Sequence, residues 1–424
     1  MAPLTTIAPV LSLFPQSAAV DDGELSVGGV RASELAAEFG TPLVVYCERT
    51  IFEAARAYRE TAPDALPLYS LKAFPNVELL RLLAAAGFGA DVSTLGELEF
   101  ARRAGIEGER IVVHGNNKSD EELRAAAAAE VRFVVLDALD EAERAAASGV
   151  HRALVRVTPG IEADTHEKIR TAHHGSKFGL PPADALEAVT AAREAGLEVA
   201  GVHLHIGSQL LDPRAGLETI DWLKDFAARE WLPEVVDLGG GLGIPYVEGD
   251  EPPPIREFVR SLLDRLADGW PGELPQLILE PGRSLVGQAG VTLYRVGVVK
   301  QAAEEITYVA VDGGMSDNPR PQLYGARYTA LLANRADEDA TRSFDVCGKH
   351  CESGDVLIEG ARLPAPRRGD LLAIPATGAY TLSMGSNYNA VPRPAAVLVA
   401  DGHVRVIRRR ETLDDLLRQE QADG

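Results

Sequence analysis

Between Leu68 and Glu280 eight short apolar runs recur, each followed by a stretch rich in Ala, Leu, Glu and Arg. The runs are Leu68–Lys72, Phe88–Val92, Ile111–His114, Phe133–Leu136, Ala153–Val157, Ala200–His205, Val235–Leu238 and Leu277–Glu280. They are continuous rather than alternating, as strands are when both faces of a parallel sheet are buried. The segments between them, such as Val77–Ala86, Leu95–Ala104, Glu121–Glu130 and Ala183–Ala195, have helix-forming composition and spacing. An open doubly wound sheet fits this alternation nearly as well, but the count of eight favours a closed α/β barrel of the (β/α)8, TIM-like type.

After residue 285 the texture changes. Val291–Val299, Ile306–Val311, Leu371–Ile374 and Ala396–Val399 follow one another without amphipathic helices between them. Asp401-Gly402 lies between two apolar runs, a two-residue hairpin signal. The expectation is a barrel over 36–285 and a mainly antiparallel β domain over 286–424, to which about 1–35 also belong. Gly23–Val30 reads as an added strand of that domain, and Leu413–Gln419 as a closing amphipathic helix. A chain of 424 residues has room for both.

Charge and cysteine usage narrow the setting. Against 42 Lys and Arg stand 63 Asp and Glu, a net charge of −21, which argues against nucleic acid or an anionic membrane surface as partner. Three cysteines (Cys47, Cys347, Cys351) are too few and too unevenly placed for a disulfide framework, which points to a reducing compartment. No run approaches the roughly 18 apolar residues of a membrane span. The apolar stretch Leu4–Phe14 is preceded by no basic residue, unlike a signal peptide. A cytoplasmic protein is expected, with no metal.

In such a barrel the reactive side chains stand at the C-terminal strand ends. Those ends carry Lys72, Asp91, His114, His205, the Gly239-Gly240-Gly241 run and Glu280-Pro281-Gly282-Arg283. Singly each has an ordinary explanation: a solvated lysine, a core histidine, a glycine turn. Together, on one rim, they describe a site. Glycines let backbone N–H groups approach a phosphate, and Ser208 offers a hydroxyl to the same anion. His205 has a flat ring that stacks on an aromatic system. Glu280 suits a protonated ring nitrogen, and a partly buried Lys72 has the makings of a nucleophilic amine. These are the requirements of pyridoxal phosphate (PLP).

The motifs Tyr69-Ser70-Leu71-Lys72-Ala73-Phe74, His205-Ile206-Gly207-Ser208-Gln209, Asp237-Leu238-Gly239-Gly240-Gly241, Glu280-Pro281-Gly282-Arg283, Cys351-Glu352-Ser353-Gly354-Asp355 and Gly378-Ala379-Tyr380 resemble those of the PLP-dependent decarboxylases with the alanine-racemase fold. That family includes the diaminopimelate, ornithine and arginine decarboxylases. His114–Ser119, Lys177-Phe178-Gly179, Asp312–Met315, Arg320-Pro321, Leu323-Tyr324 and Pro392-Arg393-Pro394 are most similar to the diaminopimelate branch. The resemblance implies that Lys72 carries the cofactor, His205 stacks on it and Glu280 binds its ring nitrogen. It places Asp91, Ser208, Gly240, Gly241, Gly282, Arg283 and Tyr380 around the cofactor. Arg283, Arg320, Tyr324, Glu352 and Tyr380 would bind an amino-acid substrate, with Cys351 and Glu352 coming from the partner subunit of a homodimer. Lys72, Cys351, His205 and Glu280 form the implied catalytic set. Leu204 and Leu95 depart from the pattern at positions that touch none of these residues.

The implied reaction is decarboxylation of meso-2,6-diaminopimelate at its D centre to L-lysine and carbon dioxide. Other amino acids remain as alternatives: ornithine, arginine, lysine, carboxynorspermidine or a carrier-tethered residue. A racemase would pair Lys72 with a tyrosine where this chain has Cys351-Glu352. An inactive homologue would lack the lysine or the glycines. Arg320 argues for a distal carboxylate, which diamine-forming enzymes do not bind.

Overall fold

The computed structural model describes residues 10–160, 176–205 and 207–420. Ile206 of the His205–Gln209 motif and the start of the Leu4–Phe14 stretch lie outside the described residues. The chain divides into two units, one of Ala54–Gly243 and Glu251–Ser284, the other of Met1–Glu53, Ile244–Asp250 and Leu285–Gly424.

The first unit is a closed parallel barrel. Its strands are β1 (Leu66–Ser70), β2 (Gly89–Val92), β3 (Ile111–Val113), β4 (Phe133–Leu136), β5 (Arg152–Arg156), β6 (Glu198–His203), β7 (Val235–Asp237) and β8 (Gln276–Leu279). β8 closes on β1 by pairing Ile278 with Leu66 and Leu279 with Pro67. Each strand overlaps one of the eight apolar runs. Several end a residue or two early, because Lys72, His205 and Glu280 leave the ladder and turn into the mouth; Lys72 sits in a 3-10 turn, Leu71–Ala73. Below the mouth the lumen is filled by Leu68, Val112, Phe133, Val135, Leu154, Ala200, Val235 and Ile278. This apolar plug fixes the strand ends, and emptying one large position such as Phe133 costs about 3–5 kcal/mol. The outer helices start where the sequence supplies caps. Asn76 accepts from Leu79 N, Thr94 from Glu97 N, and Ser119 forms a capping box with Glu122.

The second unit is built on a nine-stranded, mainly antiparallel sheet. Gly290–Gln301, Thr307–Val311, Leu371–Ile374 and Ala395–Ala400 match the expected runs, and Leu413–Leu417 forms the last helix, capped by Thr412. Ala395–Ala400 returns as His403–Arg408 through Asp401 and Gly402, whose φ values of 47° and 81° are those of a two-residue hairpin turn. Three features differ from expectation. Leu43–Cys47, inside the span assigned to the barrel, pairs antiparallel with Gly290–Leu293 and parallel with Ala395–Val399. All five of its residues are buried, so it has the texture of a barrel strand and only its pairing tells them apart. Gly23–Val30 belongs to this unit, as expected, but lies outside its large sheet. It supplies Glu24–Val27 and the start of Val30–Arg31 to a separate three-stranded sheet with Ala19–Asp21. Arg342–Cys347 and Val356–Leu363 are strands the sequence reading did not anticipate, since charged residues interrupt their apolar pattern. Among the described residues, no helix is long and apolar enough to cross a membrane.

Candidate active site

Every barrel strand delivers one buried polar side chain to the mouth. In chain order these are Ser70, Asp91, His114, Asp137, Arg156, His203, Asp237 and Glu280. Ser70 donates its hydroxyl to Asp91 Oδ2. Asp137 faces Arg156 at 3.6 Å and accepts from Gly179 N. Glu280 lies between two imidazoles, with Oε1 2.5 Å from His114 Nε2 and Oε2 3.5 Å from His203 Nε2. The first contact is short but misaligned: neither His114 Nε2 nor Glu280 Oε1 makes a hydrogen bond among the described residues. It is an electrostatic contact that leaves Oε1 able to accept from another donor.

The electrostatics separate these carboxyls. Burial raises Asp91 and raises Asp237 far more, and the charge of Glu280 adds to both shifts. Burial acts on Glu280 in the same direction, yet His114 and His203 hold it well below the usual carboxylate range. Burial pushes His203 down to about 3 and His205 well below its ordinary value, with nearby Lys72 adding to the His205 shift. The floor therefore holds Glu280 toward its ionised form and His203 toward its neutral one, while Asp237 is pushed toward its protonated form.

Above the floor, His205 is half-buried, with its ring parallel to that of His203 at 6.4 Å. Gly239 N donates to Asp237 Oδ1. The glycine run has two tasks. A Cβ on Gly240 would meet the Glu280 carbonyl at 2.4 Å, and one on Gly241, at φ +119°, would meet Gly207 O at 2.9 Å. The expectation had assigned these glycines to the anion alone; the fold requires them as well. Neither Gly240 N nor Gly241 N donates a hydrogen bond among the described residues, so both remain available to a ligand. Ser208 Oγ accepts from Arg283 Nη2 at 2.8 Å, which gathers a hydroxyl and a guanidinium in the same unit. Gly282 packs the loop after β8 against Ser70 and Ala73. Lys72 differs from expectation. It is exposed, and Asp91, Glu97 and His205 lie within its electrostatic reach.

These residues fit PLP. The acceptor Glu280 Oε1 is buried and without a donor, as a protonated ring nitrogen requires, and unspent N–H groups with Ser208 suit a phosphate. Sequence reasoning had not assigned roles to His203, Asp237 and Arg156. The available signal was the i, i+2 spacing of His203 and His205, which places both rings on one face of a strand.

In the second unit, Arg320 is 6% exposed and forms no ion pair with a carboxylate among the described residues. Its guanidinium lies 4.3 Å from the Tyr246 ring centroid and 5.5 Å from that of Tyr328, and donates to Tyr328 Oη. Tyr324 is half-buried, with its hydroxyl 4.0 Å from Met384 Sδ; Tyr380 is half-buried at φ 59°. Cys351 and Glu352 are exposed. Their loop is held by Asp355, which accepts from Met315 N and His350 N, and by Asn389 Oδ1, which accepts from Cys351 N at 2.9 Å. Glu352 Oε2 accepts from Tyr388 Oη at 3.4 Å. A cavity of about 930 Å³ in this unit is lined by Tyr328, Arg335, Leu357 and Arg362 among others, and by none of the barrel-mouth residues.

A barrel mouth with a phosphate cradle, a stacking imidazole and a buried anionic acceptor defines a PLP-binding enzyme. Residues 48–287 match the family model described as pyridoxal-dependent decarboxylase, pyridoxal binding domain. The diaminopimelate decarboxylase of Actinosynnema pretiosum is 45% identical over 421 residues, covering 96% of this chain and 95% of the relative. That of Mycobacterium tuberculosis is 42% identical, covering 98% of this chain and 99% of the relative. The crystal structure of diaminopimelate decarboxylase from M. jannaschii in co-complex with L-lysine superposes with a TM-score of 0.88 at 34% identity, covering 96% of this chain and 98% of that one. The chain belongs to the diaminopimelate decarboxylase family of pyridoxal-dependent decarboxylases.

Proposed function

We propose that this protein is a carboxy-lyase that decarboxylates meso-2,6-diaminopimelate at its D centre and releases L-lysine and carbon dioxide. PLP, when bound, accepts the electron pair left by the departing carbon dioxide. The chain's own residues bind, orient and handle protons. Lys72 would hold the cofactor through its amine until the substrate amine takes its place. His205 would stack on the ring, and Glu280 would keep a proton on the ring nitrogen. Gly240, Gly241 and Gly282, with Ser208 and Tyr380, hold the phosphate, while Asp91 steadies the floor through Ser70 and His114. Cys351 delivers a proton to the carbon that has lost its carboxylate. The distal amino-acid group is held by Arg283 and Arg320 at its carboxylate and by Glu352 at its ammonium, with Tyr324 and Tyr380 alongside.

The observation that carries the substrate choice is Arg320, a buried cation without a carboxylate partner among the described residues. A guanidinium so placed suits a planar carboxylate bound through two hydrogen bonds. The full-length similarity to diaminopimelate decarboxylases supports the same choice. PLP-loaded protein given a panel of amino acids should release carbon dioxide from meso-diaminopimelate and little from lysine or ornithine; equal rates on all three would overturn the reading.

The active form is a homodimer in which Cys351 and Glu352 serve the partner's site, a role that their exposure on a pinned loop supports. Its setting is the cytoplasm, in keeping with three free cysteines. Inactive Lys72→Ala and Cys351→Ala chains, mixed and allowed to exchange, should regain part of the activity. Demonstrated exchange without recovery would contradict shared sites.

A further inference from the structure

Three acids of the barrel floor (Asp91, Asp237 and Glu280) face two imidazoles (His114 and His203) deep in the mouth, with Lys72 and Arg156 as the nearby cations. Arg156 is already engaged by Asp137 at 3.6 Å. A neighbouring buried pair, Lys118 with Glu141 at 3.1 Å, is likewise matched. Three buried carboxyls this close cannot all be ionised, so the arrangement must decide which one keeps its charge. Asp91 is tied to the Ser70 hydroxyl and Asp237 to Gly239 N. Only Glu280 has an imidazole at each oxygen, and the nearer of the two is His114.

We propose that His114 is a positioning residue: it holds Glu280 as the anionic member of the floor and fixes the orientation of its carboxylate toward the cofactor's ring nitrogen. This rests on the role given to Glu280 above and extends it to a residue that makes no claim on the cofactor itself. The geometry supports the choice over two others. His203 is 1% exposed and lies farther from Glu280, so it packs the floor and is a weaker counterweight. Its ring meets that of His114 edge-on at 4.7 Å, which limits how far His114 can swing away from Glu280. A metal centre is the second alternative, because His114, His203, Asp237 and Glu280 place donor atoms within 4.8 Å of one another. Zinc–ligand bonds of about 2.0–2.1 Å in a tetrahedral site separate donor atoms by about 3.3 Å. The 2.5 Å between His114 Nε2 and Glu280 Oε1 is too short for two ligands of one zinc ion. The groups that face Glu280 are Asp91 from β2, His114 from the end of β3, Arg156 from β5, His203 and His205 from β6 and the residues after it, and Asp237 from β7; Lys72, beyond β1, acts on Asp91 and His205.

The experiment uses full-length protein loaded with PLP labelled with nitrogen-15 in the ring, whose chemical shift distinguishes a protonated from a neutral ring nitrogen. In the unaltered protein the signal should be that of the protonated form. His114→Ala should retain PLP yet move the signal toward the neutral form, and should lower kcat about tenfold or more with KM changed far less. His114→Gln keeps a donor near the Nε2 position and should restore the protonated signal in part. A protonated signal unchanged in both variants overturns the proposal, and so does stoichiometric zinc uptake by the cofactor-free protein that is lost in His114→Gln. Glu280→Gln serves as the reference. If it leaves the ring signal unmoved, the Glu280 assignment fails; if it moves the signal while the His114 variants do not, only the His114 proposal fails.

Discussion

At the barrel mouth each ionisable side chain is held by neighbours from several strands, whereas Cys351 and Glu352 in the second unit stand exposed on a loop pinned through its backbone by Asp355 and Asn389. One buried group in each region, His203 and Asp317, responds to protons in the opposite sense. Burial holds His203 at about 3, below its unfolded value near 6.5, so the unfolded chain binds the extra proton and stability is lost as pH falls through that window. Burial raises Asp317 to about 7, above its unfolded value near 3.9, so its stabilising contribution is lost as pH rises from about 4 to 7. The contrast teaches where each kind of work is placed. On the proposed reading, the buried charges of the mouth serve the cofactor, while Cys351 and Glu352 stand where a second protomer can reach them.

The largest effect should come from Lys72, the exposed member of an otherwise buried mouth. Lys72→Ala is expected to reduce decarboxylation by at least about a thousandfold while leaving thermal unfolding nearly unchanged. Borohydride reduction followed by mass spectrometry should then find no cofactor on the chain, and a persisting adduct would assign the linkage to another amine. Next comes Glu280. Glu280→Gln should cut kcat on the order of a hundredfold, with PLP affinity altered much less; equal losses in both would make Glu280 a binding group and blur the contrast with the β unit.

In the second unit, Arg320→Ala should weaken use of diaminopimelate about tenfold or more, and Arg320→Lys should not restore it, because a point charge cannot replace the planar fork packed on Tyr246. The visible spectrum of the bound cofactor should be the same in both variants; a shifted band would mean that Arg320 acts on the cofactor. The smallest effect concerns Asp317, which accepts from Tyr294 Oη and Gly314 N. Asp317→Asn keeps an acceptor for Gly314 N, turns the Tyr294 Oη contact into one in which the amide donates, and removes the buried ionisation. Relative to wild type it should gain stability on the order of 1 kcal/mol per pH unit between about pH 4 and 7, measured by urea unfolding. A gain independent of pH would remove the opposition between the two units.

The barrel was readable because parallel strands buried on both faces are continuous apolar runs, and because four of the runs end on Lys72, His114, His205 and Glu280 at one rim. Pairing was not readable. Leu43–Cys47 carries the same composition as a barrel strand, and nothing local says that its neighbours are Gly290–Leu293 and Ala395–Val399. Arg342–Cys347 and Val356–Leu363 were hidden because their half-exposed positions carry charges. Within the site, His114 was visible as a strand-end residue and Asp237 as the head of a motif, but their approach to Glu280 depends on barrel closure. Partial burial of Lys72 was inferred from its apolar strand; on the turn Leu71–Ala73 the residue is instead exposed.

The placement of Leu43–Cys47 bears on how the chain is made. A strand that precedes the barrel in the chain must wait for partners some 250 and 350 positions later, whereas every barrel strand pairs with the next or, at closure, with the first. At about 5–20 residues per second, that wait lasts tens of seconds on the ribosome. During it the barrel can close, but five apolar residues of the nascent β unit have no ladder to enter. Such a segment is an adhesive edge, so the yield of folded protein should depend on chaperone supply during synthesis more than on the stability of the finished molecule.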